Sequence, residues 1–269
     1  MIPCPKMKKE PNLIITPAEF PVPLIILPET SSTNNYLTQL CDEQQSAIQE
    51  FTTVIAERQT AGKGQRGNSW ESEDCRNITF SFVLYPIFIE ARHQFILSQI
   101  VSLSIKEELD QWTEGISIKW PNDIYWNEKK ICGILIENDL SGHHIGRSIS
   151  GIGVNINQDV FRSNAPNPIS LKQITGKDHD RYLILANIME RVKEYYTLLQ
   201  ADTSGNAANI ITERYVRSLF RRNGFHRYAD ADGEFLARLL RVEPDGRFIL
   251  EDQTGKERGY LFKEVQYLL

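Results

Sequence analysis

Glu57-Arg58-Gln59-Thr60-Ala61-Gly62-Lys63-Gly64-Gln65-Arg66-Gly67-Asn68-Ser69-Trp70 carries three glycines and two cations within six positions, and it closes on a tryptophan. Glycine permits positive φ and close backbone approach, while lysine and arginine supply charge-assisted donors for carboxylates and phosphates. This is the composition of a loop that wraps an anionic ligand. Gly62, Gly64 and Gly67 satisfy G-x-G-x-x-G, which marks a dinucleotide site only between a strand and a helix. The preceding Phe51-Thr52-Thr53-Val54-Ile55-Ala56 is β-branched and apolar, as a strand should be. After Trp70 come polar Glu71-Ser72-Glu73-Asp74 and then Ile78-Thr79-Phe80-Ser81-Phe82-Val83-Leu84-Tyr85, which alternates as a second strand. Strand–loop–strand excludes a Rossmann unit. With no Lys-Ser or Lys-Thr pair closing the glycines, a Walker loop is excluded too. Taken alone, the loop reads more readily as an ordinary hairpin tip, so its meaning rests on the rest of the chain.

The chain has 269 residues, enough for one sizeable core and a small second domain. Its formal net charge is −5 and its pI about 5.6, which argues against non-specific binding to nucleic acid or acidic membranes. The loop cations are therefore local. Cys4, Cys41, Cys75 and Cys132 form no C-x-x-C, and the histidines form no H-E-x-x-H, so no zinc site is expected. No apolar run approaches the ~18 residues of a membrane span, and residues 1–10 hold no apolar signal-type segment. The chain reads as cytoplasmic and not bound to a membrane.

Residues 1–23, with Pro3, Pro5, Pro11, Pro17, Pro21 and Pro23, read as an irregular lead-in without room for a helical DNA-binding domain. Residues 24–222 read as the main domain. Leu24 to Leu27 is a short strand, and Ser31-Ser32-Thr33 offers N-cap chemistry for a helix from Asn34 to about Gln45. Phe95 to Trp112 has the broad apolar face of a core helix. Ile116 to Trp120, Asp123 to Trp126, Ile131 to Glu137 and Ser148 to Ile156 are strands joined by short turns, which predicts a largely antiparallel or mixed sheet. His143-His144 belongs at a solvated hairpin tip. Arg181 to Leu199 and Ala207 to Leu219 are amphipathic helices that cover the sheet. Residues 223–269 alternate short apolar runs with Asp-Gly and Thr-Gly turns, the pattern of a small barrel-like β domain docked on the first. The fold class is α/β, a central mixed sheet covered by helices, plus this C-terminal domain.

Four further segments carry chemistry. Ser32-Thr33-Asn34 places two hydroxyls and an amide at a helix start. Lys119-Trp120-Pro121-Asn122-Asp123 crowds a cation, an aromatic, a rigid turn and a carboxylate together. Lys130-Ile131-Cys132-Gly133 puts a lysine at a strand start. Gly151-Ile152-Gly153-Val154-Asn155 puts glycines inside a strand, where they mark close approach of a ligand or another group. Each has a bland reading as cap, turn, surface lysine or bulge. In this order, together with Gln59 to Trp70, they resemble the biotin protein ligases, the biotin–[acetyl-CoA-carboxylase] ligase family, from about Glu29 through Asn157.

The resemblance implies a catalytic domain related to lipoate ligases, a C-terminal SH3-like barrel, and an ATP- and Mg²⁺-dependent ligase with biotin as substrate. It implies a biotin site formed by Ser32, Thr33, Asn34, Gln59, Gly62, Lys63, Gly64, Gln65, Lys130, Gly151 and Gly153. Lys63, Arg66, Gly67, Trp70, Asn77, Asn122, Asp123 and Asn155 would face the nucleotide, with Trp70 and Trp120 as walls. Lys130 and Asp123 would be catalytic, and Asp123 would hold the magnesium. The loop would cover biotinyl-5′-AMP until a lysine of a biotin carboxyl carrier domain arrives. Family members often pair through a sheet edge, so a homodimer is compatible; DNA is not an expected partner. Lys63, Gln65 and Asn68 stand where many members have arginines, Cys75 where a glycine is common, and Cys132 where an alanine is usual. Two rivals remain: a lipoate or octanoate ligase on the same architecture, and a non-catalytic biotin-responsive regulator.

Overall fold

The computed structural model of the protein describes residues 13–15, 20–44, 47–65, 68–163 and 166–268. Eight strands form the first sheet: β1 (Leu13–Ile15), β2 (Leu24–Leu27), β3 (Thr53–Ala56), β4 (Ile78–Leu84), β5 (Ile116–Lys119), β6 (Asp123–Trp126), β7 (Lys129–Ser141) and β8 (His144–Val154), in the order β1-β2-β3-β4-β8-β7-β6-β5. Among these strands only β2 and β3 run parallel, because a helix, α1 (Thr33–Glu43), carries the chain between them. The other neighbours are antiparallel, as short turns require. The sheet is mixed, as the spacing of the apolar runs predicts.

Three residues of the expected irregular lead-in behave differently. Leu13–Ile15 pairs antiparallel with β2 as an edge strand, a site where neighbouring prolines are tolerated. Phe20 and Val22, just beyond, are buried in the main core.

Three helices cover one face: α2 (Phe95–Leu109), α4 (Arg181–Ala201) and α5 (Asn206–Arg217). A further short helix, α3 (Leu171–Thr175), escapes the periodicity but has a sequence signature. Ser170 and Gln173 form a reciprocal capping box at its start, and Gly176 ends it in the left-handed region. On the opposite face α1 stands alone, with Leu37 and Cys41 packed on Val54, Val83 and Ile149. The β7–β8 hairpin is longer than the apolar runs imply, and His143 and His144 lie exposed at its tip.

The C-terminal sheet contains β9 (His226–Asp230), β10 (Gly233–Val242), β11 (Phe248–Asp252), β12 (Glu257–Tyr260) and β13 (Gln266–Tyr267), ordered β12-β11-β10-β9-β13 and antiparallel throughout. It is a small SH3-like unit that shares its core with the main domain. One apolar cluster runs from Ile118 and Trp120 through Tyr215 to Tyr228 and Phe248.

Candidate active site

Period-two alternation turns Thr79, Ser81 and Val83 of β4, Gly151 and Gly153 of β8, and Gly133, Leu135 and Glu137 of β7 to the face that carries α1. The helix covers the Val83 end. Beyond it the face is floored by small residues, and this strip is the candidate slot. The floor glycines are explained by what lies on them. A Cβ on Gly151 would stand 2.0 Å from Asn34 Oδ1, and one on Gly153 would stand 2.2 Å from Trp70 Cε2. The close neighbours are therefore side chains from α1 and from the end of the glycine loop.

Ser32 occupies the N-cap position of α1 in extended conformation, but its hydroxyl makes no capping bond. Gln59 caps the helix instead. Its Oε1 accepts from Thr33 N at 2.8 Å and from Thr33 Oγ1 at 3.2 Å. Ser81 Oγ, fully buried, lies 2.7 Å from Thr33 Oγ1 and 2.5 Å from Asn34 Oδ1. Asn34 Nδ2 donates to Glu137 Oε2 at 2.8 Å. Buried Ser32, Thr33, Asn34 and Ser81 and half-buried Gln59 thus form a polar end to an otherwise glycine-floored slot.

The loop folds back on itself as a hairpin. Trp70 N donates to Gly62 O at 2.9 Å, Gly64 N donates to Asn68 O at 2.7 Å, and Lys63 and Ser69 pair between them. Lys63 Nζ donates to Asn35 Oδ1 of α1 at 2.6 Å, and Gln65 Oε1 is buried with no partner among the described residues. Arg66 and Gly67 lie outside the described residues. At the loop's base Glu57 accepts from Arg181 Nη2 at 2.8 Å and from the Tyr182 hydroxyl at 2.6 Å, a buried pair that also ties Arg181 Nη1 to Asn77 O. Burial, then the neighbouring Glu57 carboxylate, pushes the Tyr182 phenol well up. Beyond Trp70, Glu71 accepts from the backbone N–H groups of Arg162 and Ser163. Cys75 adopts φ 58, the left-handed conformation in which glycine is the usual choice.

Lys130 is the second residue of β7, and its side chain reaches forward along the strand beside Gly133. Its Nζ makes an ion pair with Asp123 Oδ1 at 2.7 Å and lies 5.7 Å from the centre of the Trp70 ring. Both groups of the pair are partly buried. Asn122 Nδ2 donates to Ile134 O, which fixes the turn before Asp123. Asn155 Nδ2 donates to Ile169 O at 3.1 Å, and its Oδ1 is buried with no partner among the described residues. Asn77 is occupied within the protein: Nδ2 donates to Gln158 and Ser72, and Oδ1 accepts from Ile156 N.

Comparison with known proteins identifies the family. The model of the biotin/lipoate A/B protein ligase family matches residues 26–155. The biotin–[acetyl-CoA-carboxylase] ligase of Paracoccus denitrificans is 30% identical over 247 residues, covering 86% of this chain and 95% of that protein. The chain belongs to the biotin/lipoate protein ligase family, among the biotin protein ligases. The bifunctional ligase/repressor BirA of Bacillus spizizenii is 30% identical over 225 residues; they make up 78% of this chain but only 65% of that longer protein. The solved biotin protein ligase of Aquifex aeolicus, in complex with biotin and ATP, superposes with a TM-score of 0.73 at 28% identity, covering 91% of this chain and 99% of that one.

Within this ligase family fold, Trp120 has a different place from the expected wall of the site. Its ring stacks on Phe248 of the C-terminal sheet at 4.9 Å and 18°, and its Nε1 donates to Gly246 O at 2.9 Å. It joins the domains, because the Lys119–Asp123 turn lies between the site and β11. Lys119, beside it, donates to the Tyr125 hydroxyl at 3.0 Å and sits 5.1 Å from the centre of the Tyr267 ring; burial holds its pKa down against the opposing pull of Asp123. Sequence reading misses Ser81, Glu137 and the Glu57–Arg181 pair. The signal for Ser81 is faint but present: Thr79 and Ser81 alternate with apolar residues in phase with the glycines of β8.

Proposed function

We propose that the protein is a biotin ligase acting in the cytoplasm. Biotin's carboxylate attacks the α-phosphate of ATP, giving biotinyl-5′-AMP and pyrophosphate. The lysine amine of a biotin carboxyl carrier domain then attacks the acyl carbon, forming an amide and releasing AMP. The observation that carries this reading is the polar end of the slot, Thr33, Asn34, Gln59 and Ser81. A cyclic urea offers both N–H donors and a carbonyl acceptor to such groups. A dithiolane brings no N–H or carbonyl, so the lone pairs and N–H groups these residues keep beyond their mutual bonds would lose water without gaining a partner, and a site built to hydrogen-bond its substrate rejects an analogue that cannot do so.

Each element then has a task. Gly151 and Gly153 let Asn34 and the Trp70 ring settle against the sheet, so that these two side chains face the bicycle. Trp70 walls the tail, and Lys63 with Gln65 closes the loop side. Lys130, at the end away from the polar groups, is placed to neutralise the carboxylate and the α-phosphate, which repel one another until a cation lies between them. Asn122 and Asn155 hold the segments beside it. Asp123 is a lone carboxylate with no acidic cluster among the described residues. That donor set fits a Mg²⁺ ion entering on the nucleotide's phosphates better than one caged by protein. The metal would supply charge neutralisation at the phosphates. Asp123 orients Lys130 and is the nearest carboxylate to receive the carrier lysine's proton. Pairing of two copies through a sheet edge would leave these steps unchanged. No described helix is long and apolar enough to cross a membrane.

The test is incubation with ATP, Mg²⁺, biotin and a carrier domain, scored by mass. A biotinyl mass gain on one carrier lysine is expected, with none from lipoate. Folded protein that leaves a competent carrier unmodified would overturn the reading, and lipoylation in its place would favour the lipoate ligase.

A further inference from the structure

Glu137 stands exposed at the rim of the slot, on the same face as Gly133 and Leu135, and neither motif nor spacing singles it out. Its carboxylate is the sole described partner of Asn34 Nδ2, at 2.8 Å. An ionised carboxylate only accepts, so the Asn34 amide must turn its NH₂ to Glu137 and its carbonyl oxygen to Ser81. Ser81 has a single proton. Faced with a carbonyl oxygen at 2.5 Å, it donates there and turns a lone pair to Thr33 Oγ1, 2.7 Å away. The other neighbour of the Thr33 hydroxyl is Gln59 Oε1, at 3.2 Å, also an acceptor because the Thr33 N–H donates to the same atom. Thr33 must therefore place its own proton on the lone pair that Ser81 turns to it, since two bare lone pairs cannot face each other at 2.7 Å, and it keeps a lone pair for the slot.

We propose that Glu137 is a positioning residue for substrate recognition: through Asn34 and Ser81 it fixes the hydrogen-bond direction at the slot's polar end, so that Thr33 Oγ1 accepts a ring N–H of the ureido group. This deepens the biotin reading and rests on it. Such one-way chains strengthen each member and penalise any reversal, since a reversed amide sets its carbonyl oxygen against the Glu137 carboxylate at a part-buried contact.

The wild-type protein is assayed first, for biotin-dependent pyrophosphate exchange. Absence of exchange would overturn the proposed function, and this assignment with it, before any variant is made. With exchange present, Glu137→Gln lets the Asn34 amide reverse without changing side-chain length. The KM for biotin should rise about tenfold, the scale of one buried polar group losing its partner, with kcat and the KM for ATP unchanged. Because Glu137 is exposed, the melting temperature should stay at the wild-type value. Glu137→Asp, still acceptor-only, should recover part of the loss. Thr33→Val removes the end of the chain, so adding Glu137→Gln to it should cost nothing more. A wild-type biotin KM in Glu137→Gln, or fully additive effects with Thr33→Val, would overturn the proposal.

Discussion

Lys130 and Asp123 form an ion pair of 2.7 Å, although one is the second residue of β7 and the other opens β6. The antiparallel pairing of the two strands sets Asp123 opposite Gly133, so the lysine must reach forward along its own strand to meet it. That reach brings the ammonium beside Trp70 and over the end of the slot. The carboxylate holds the cation in place before any substrate arrives. Removing the cation should therefore affect the chemical step more than binding. Lys130→Met is expected to lower kcat for biotin adenylation by roughly 10²–10³, as for loss of one preorganised donor to developing charge. Single-turnover formation of biotinyl-5′-AMP checks it, and unchanged turnover would remove Lys130 from the chemistry.

Trp120 couples the turn that carries Asn122 and Asp123 to the C-terminal sheet. Trp120→Ala should cost ~3–5 kcal/mol of stability, the range for deleting a buried aromatic. Trp120→Phe keeps the stack and loses the bond to Gly246 O, for about 1 kcal/mol. Urea unfolding midpoints measure both. Paired with Phe248→Ala, Trp120→Ala should show a coupling energy of roughly 0.5–3 kcal/mol, whereas strict additivity would mean that the stack contributes nothing.

The pieces that sequence reveals are those carried by local pattern. Alternation marks the strands on either side of the glycine loop, and the order of elements rules out a nucleotide-binding helix after it. Strand glycines at 151 and 153 announce close approach. They do not say what approaches, because Asn34 and Trp70 reach them only after the sheet has formed. The same limit hides Glu57–Arg181, whose partners are far apart in sequence and meet through packing of α4 on the sheet. Trp120 illustrates a further limit. The family resemblance makes Trp120, three positions before Asp123, a wall of the site, and only the docking of β11 turns its ring to the C-terminal sheet. Ser81 is legible as a strand residue, while its role depends on the helix that lands on it.

Glu71 ties the outer end of the loop to residues 158–163. Burial alone would raise its pKa, but hydrogen bonds from Ser163, Arg162 and Gln158 outweigh burial and hold the carboxyl below the usual glutamate value of 4.5. A depressed folded-state value means that the stabilisation is fully present above 4.5 and is lost as pH falls through the folded value. Hydrogen exchange at residues 158–163 should therefore accelerate, beyond its intrinsic pH dependence, as pH drops below 4.5. Glu71→Gln should remove the pH-dependent part. An identical profile in the variant would show that Glu71 does not hold this segment.

Gly153 bears the Trp70 ring directly, and β8 cannot yield because it is hydrogen-bonded to β4 on one side and β7 on the other. A methyl group at this position would sit 2.2 Å from Trp70 Cε2, so the ring must lift. Gly153→Ala should leave the sheet intact, expose Trp70 to acrylamide quenching, and release biotinyl-5′-AMP to hydrolysis faster than it is passed to a carrier. The excess quenching should disappear when Trp70→Phe is added, which separates this tryptophan from the other three. Ser150→Ala is the control. It lies on the same strand but points to the opposite face, where its hydroxyl is buried without a partner among the described residues. Adenylate retention in Ser150→Ala should match wild type. If Gly153→Ala also retained the adenylate and kept Trp70 shielded, the ring would not be a wall of the site.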